Sequence, residues 1–106
     1  MPGSTYRVRE NTGNPAHPPI EEIVDLALAR AADPRPANHP DGHFDRYIRD
    51  AVKHADAAAV EKSIRMSLVE GLTHRMAGRA AFGEDYVYGI NVGVAANAYL
   101  RELNGD

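Results

Sequence analysis

Cysteine is absent from all 106 residues, which excludes disulfides, thiolate metal centres and cysteine nucleophiles. Proline is absent beyond Pro40, all seven lying at or before that position. No apolar run is long enough to cross a bilayer. The longest charge-free stretch is the 15 residues Tyr86 to Leu100, and it contains Asn91 and Asn97, whereas a span needs about 20 mostly apolar residues. The chain is therefore expected to be soluble, with no membrane partner. The opening MPGSTYRVRE carries no apolar run, so no secretory signal is expected and a cytoplasmic location follows. A phosphate-cradling loop is missing as well: GRAAFGED has the glycines but no Lys-Ser/Thr after them. Nothing reads as a cofactor box, and no cofactor is expected.

Large apolar side chains are few. Alanine supplies 17 of the 46 apolar residues, and Leu, Ile, Val and Phe together number 21. Burial stabilises by roughly 25 cal/mol per Å², and alanine has little area to bury. A thin core of close-packed helices follows, helped by a partner subunit. The length suits one domain. A net charge of −3 argues against a generic polyanion binder, yet the charge is uneven. Residues 46–79 carry seven Lys/Arg against four Asp/Glu, and residues 80–106 carry one against four.

Residues 1–19 are polar and turn-forming and are expected to be an extended or disordered arm, with a short strand at 5–9 as an alternative. Residues 20–106 then form a single helical domain. The first helix, 20–32, has Pro18 and Pro19 at its start, Glu21 and Glu22 in its first turn, and Asp33-Pro34 beyond its end. Ile20, Ile23, Val24, Ala27, Leu28 and Ala31 make its apolar face. The second, 43–55, has a stripe of Phe44, Tyr47, Ile48, Ala51, Val52 and Ala55. Val60, Ile64 and Leu68 fall on the opposite side of that wheel, so a break is expected at Asp56, a good N-cap. A third helix runs 57–81, loosened at Gly71 and stopped by Phe82-Gly83.

The last segment, 86–103, supports two patterns. Tyr86, Tyr88, Ile90, Val92 and Val94 alternate as a strand would, pairing with 5–9 or with another chain. As a helix, the same residues give one stripe of Tyr88, Val92, Ala95, Tyr99 and Leu103 and a second of Tyr86, Val87, Ile90 and Val94. Between them runs a small-residue seam of Gly89, Gly93 and Ala96. The helix, and with it an all-α four-helix bundle, is the first expectation; α+β with a strand at 86–94 is the alternative.

Four constellations bear on chemistry. His39, Asp41 and His43 have N and O donors at alternate positions of a loop, the pattern of a divalent cation site, but with no second ligand group nearby. No metal is expected there, and Asp41 is more economically a turn or cap residue. Ser67, Glu70 and His74 share one face of a continuous helix, a nucleophile, carboxylate and base without a strained turn or oxyanion donors. No catalytic residue is assigned. Arg46, Arg49, Lys53, Lys62 and Arg65, with Arg75 and Arg79, form a basic face that would contact phosphates if the second and third helices acted as a helix-turn-helix. Asp45, Asp50, Glu61 and Glu70 are interspersed with it. Finally, Tyr88, Gly89, Val92, Gly93, Ala96 and Tyr99 are expected to be a helix–helix contact surface.

The sequence therefore points first to a small helical assembly protein, a homo-oligomer or an accessory subunit with a protein partner, docking through its last helix. A nucleic-acid-binding regulator is the alternative. A small ligand carrier or enzyme with a pocket of tyrosines and Asn91 or Asn97 is a third.

Overall fold

The computed structural model describes residues 19–105, and all of its regular structure is helical. The order is α1 (Ile20–Ala32), α2 (Gly42–His54), α3 (Ala57–Leu68), α4 (His74–Phe82), a 3-10 turn (Gly83–Asp85) and α5 (Tyr86–Leu103). The arm and its expected strand at 5–9 lie outside the described residues. Helix α1 starts with Glu22 N–H donating to the Pro19 carbonyl at 2.9 Å, and Glu21 and Glu22 sit at the positive end of its dipole. Helix α3 starts where expected, with the Asp56 carboxylate accepting from Ala59 N–H at 2.8 Å.

The segment 57–81 is two helices, not one. Gly71 adopts φ +74°, a left-handed conformation in which a side chain is strained. After that turn Thr73 caps α4, its hydroxyl accepting from Met76 N–H at 3.1 Å. Gly83, at φ +63°, ends α4. The strand alternative for 86–94 is not realised. Eighteen consecutive residues are helical, so every backbone donor past the first turn is satisfied within the segment.

The core sits where α5 crosses its neighbours. Ile23, Val24 and Ala27 of α1, Ile48 and Ala51 of α2, Val60 and Ile64 of α3, and Val92, Ala95, Ala96 and Tyr99 of α5 are all buried. Four of these eleven are alanines, so backbones approach closely and little volume separates the helices. Helix α4 packs on α3 and α5 but touches neither α1 nor α2. Its contact with α5 is made by glycines: a Cβ on Gly89 would lie 2.3 Å from Gly78 Cα, and one on Gly78 would lie 2.7 Å from the Tyr86 carbonyl. The interior glycines of α5 are thus tolerated because another backbone occupies the space their side chains would need.

Gly89→Ala forces α4 away from α5. A gain of about 1 kcal/mol in helix propensity is outweighed by overpacking, for a net loss of about 2 kcal/mol. Gly71→Ala meets no atoms within 4 Å but strains φ, and costs about 1 kcal/mol. Urea unfolding midpoints of the two variants should rank in that order.

Candidate functional site

The one fully buried charged side chain among the described residues is Asp45, on α2. Its Oδ2 accepts from Arg35 N–H and Arg35 Nε, both at 2.9 Å, and its Oδ1 accepts from Arg35 Nη2 at 3.0 Å and from the Tyr99 hydroxyl at 2.7 Å. Four donors thus satisfy a carboxylate that burial alone would make costly. Arg30 lies 3.9 Å from the same Oδ1, and Glu102 joins Arg30 to Arg35, with Arg35 Nη1 donating to its Oε2 at 3.2 Å. Two guanidinium groups face two carboxylates, and the cluster is neutral. Burial pushes the Asp45 carboxyl upward, but the Arg35 and Tyr99 hydrogen bonds outweigh it and hold the group at about 2. Burial, then the hydrogen bond to Asp45 and its charge, push the Tyr99 hydroxyl well above its ordinary range, so it stays a donor. The hydrogen bond from Arg30 depresses Glu102, against a smaller opposing effect of burial. This cluster ties α1, the 33–41 loop, α2 and α5 together, and both Asp45 oxygens are fully engaged within it.

Ser67 and His74 do meet, across the turn between α3 and α4 rather than on one helix face. Ser67 Oγ lies 3.0 Å from His74 Nδ1, and Glu70 takes no part. On the other side of the ring, Asn97 Nδ2 lies 3.2 Å from His74 Nε2 and donates to the Gly93 carbonyl at 3.1 Å. The amide orientation follows from that carbonyl, which can only accept. The second hydrogen of Nδ2 then points to Nε2, the ring proton sits on Nδ1, and Nδ1–H donates to Ser67. A base must accept the nucleophile's proton, so the polarity is the reverse of a catalytic dyad. Gly93 makes room for the imidazole; a Cβ there would lie 2.4 Å from Nδ1. The trio acts as a latch holding α4 on α5.

Loop residues His39, Asp41 and His43 do not converge. His39 Nδ1 accepts from Asp41 N–H at 3.0 Å, while the His43 ring packs 4.0 Å from Phe44. Asp41 precedes α2 but makes no side-chain cap, and Asp85 likewise leaves α5 uncapped, lying 2.8 Å from His54 Nε2 instead. Among the described residues no three His, Asp or Glu side chains are placed to share a metal ion.

The basic face is divided. Arg46 donates to the carbonyls of Gly42 and Arg35, both at 2.9 Å, and Arg65 is paired with Glu61 at 2.8 Å and Glu21 at 3.4 Å. Lys62 is exposed. Arg49 and Lys53 rim an apolar depression of about 250 Å³ floored by Leu28, Ala31, Ala32 and Val52. Arg75 and Arg79 lie over the Tyr86 ring, at 5.4 and 4.6 Å from its centroid. Only Ala55 and Asp56 separate α2 from α3, shorter than a helix-turn-helix turn.

The expected contact surface faces inward. Gly89, Val92, Gly93, Ala96 and Tyr99 are buried within the chain, and the half-buried Tyr88 ring stacks 4.2 Å from His54. Gly89 and Gly93 serve α4, Val92 and Ala96 belong to the core, and Tyr99 serves Asp45. The surface that α5 leaves outside is its other side. Val87 is 57% exposed and Val94 38%, with the half-buried Asn91 and Ala98 between and beyond them. At ~100° per residue these four fall within about 60° of one another, opposite Ala96. Asn97 is spent on the latch.

The depressed Asp45 group fixes a pH dependence. Its folded value of about 2 lies below the ordinary 3.8, so the native carboxylate binds fewer protons than the unfolded one. The stability it contributes is complete above about pH 4 and is lost as pH falls toward about 2. Urea midpoints across that window should fall for the native chain and flatten in Asp45→Asn. That variant should be about 3 kcal/mol less stable at neutral pH, since Arg35 loses its buried partner and keeps only the half-buried Glu102. At His74, nitrogen chemical shifts should report the Nδ1–H tautomer, and a fluorophosphonate should leave Ser67 unmodified.

No curated protein and no solved structure matches the chain. A family model does, across residues 1–106, and the chain belongs to that family, described as a domain of unknown function (DUF8158).

Proposed function

We propose that this is a small helical assembly protein that docks through the outer face of α5. The single observation that carries the proposal is the composition of that face. From Tyr86 to Leu100 the helix has no charged residue, yet its outer side carries Val87, Asn91, Val94 and Ala98, with both valines well exposed. Surface helices ordinarily place charge opposite their core stripe, as α2 does with Arg49, Asp50 and Lys53. An uncharged outer face is what a helix needs when a second surface covers it. No polar cluster described above competes with this: the buried charges are mutually satisfied and the Ser67–His74 pair has the wrong polarity for attack.

The absence of cysteine makes the test clean. In an extract of the source cells, the thiol of Val94→Cys should react with a maleimide several-fold more slowly than that of Asp25→Cys, on the exposed side of α1. Equal rates both in the extract and for the purified chain at about 1 mM would mean the face is uncovered, and would remove the proposal.

A further inference from the structure

We infer that the occupant of this face is a second copy of the same chain, lying antiparallel along α5 about a two-fold axis. The inference rests on the docking proposal above and adds partner and register to it. Glu84, Val87, Asn91, Val94, Ala98 and Arg101 follow one another at spacings of 3, 4, 3, 4 and 3 residues. That is the 3.5-residue period of a two-helix seam, and it reads the same in both directions. Reversing one copy places Glu84 against Arg101 of the other, Val87 against Ala98, and Asn91 against Val94. A two-fold interface requires such self-complementarity, since each contact occurs twice.

Charge supports the same register. Glu84, in the 3-10 turn leading into α5, and Arg101, in its last turn, are both exposed. Neither belongs to any ion pair among the described residues. Antiparallel pairing gives each a partner of opposite sign, whereas parallel pairing would set Glu84 on Glu84 and Arg101 on Arg101. The polar residue of the seam also finds a place. The two Asn91 side chains flank the axis, offset along the helices by three residues, or about 4.5 Å at a rise of ~1.5 Å each. At that offset their amides can hydrogen-bond one another, which would leave neither unsatisfied. Ala98 allows the close approach that opposes it to Val87. The seam is about 25 Å long and one helix wide, at the low end of interface sizes, so the pair should dissociate at micromolar rather than nanomolar concentration.

Sedimentation equilibrium on the purified full chain should show a two-chain species with Kd between about 1 and 100 µM. Val94→Glu should give a monomer with unchanged circular dichroism. Arg101→Glu alone sets four carboxylates at the seam ends and should weaken pairing about tenfold, and adding Glu84→Arg should restore it. Under oxidation, Val87→Cys combined with Ala98→Cys should cross-link two chains, while Val87→Cys alone should not. A monomer at about 1 mM overturns the inference. So does a dimer indifferent to Val94→Glu, or one that cross-links through Val87→Cys alone. If the purified chain is monomeric while the Val94→Cys thiol is still protected in the extract, self-pairing fails and docking stands on a different partner. A thiol unprotected both in the extract and in the purified chain at about 1 mM defeats both.

Discussion

The Asp45 carboxylate is the constraint on which the rest of the structure depends. Alanine-rich helices gain little from burial, so their relative placement needs something more directional than apolar contact. Four hydrogen bonds on one carboxylate supply it: three from Arg35 fix the loop after α1, and one from Tyr99 fixes the end of α5. Arg30 and Glu102 then neutralise the cluster at its edge. An apolar residue of similar volume would fill the same space but would not specify which turn of α5 lies against α2. The ionic cluster sets register, and the small side chains around it let that register be close-packed.

At the opposite side of α5 the chain solves the same problem without charge. Gly78 against Gly89 brings two backbones together, and the Ser67–His74–Asn97 latch keeps α4 from sliding along them. The two devices leave α5 fully engaged on its inner half. Its outer half is uncommitted among the described residues, and Glu84 and Arg101 are in no ion pair there.

Much of this was legible in the sequence where periodicity is a local property. The bounds of α1 and α5, the break at Asp56 and the stop at Gly83 follow from stripes and caps that span a few residues. The turn at Gly71 was visible only as a loosening, because Leu72 and Met76 continue a helical pattern that backbone geometry then interrupts. The glycine seam was legible as a close-contact surface, but a seam does not say which helix comes to it; α4 did, once Gly71 turned the chain back. Asp45 was hidden among the basic residues of α2. Yet on the wheel set by Phe44 it falls at about 100°, beside Val52 at about 80°, and that edge position was the available signal. What no local pattern could reveal is that Arg35, ten residues earlier in a proline-rich loop, supplies three of its four donors.

Helix α4 owes its place to very little buried side chain. Only Ala77 and Gly78 are enclosed along its nine residues, and it never reaches α1 or α2. Its contacts with α5 comprise the imidazole latch, the Gly78–Gly89 approach and Arg75 and Arg79 over Tyr86, and Phe82 packs against the core, while the Asp45 cluster lies outside them. The protein thus joins its helices in two ways: a polar cluster that ties α1, α2 and α5, and a small-residue approach of α4 to α5. Amide protons of α4 should escape protection before those around Tyr99, and release of α4 would uncover Gly89 and Gly93 while Ala96 stays in the core.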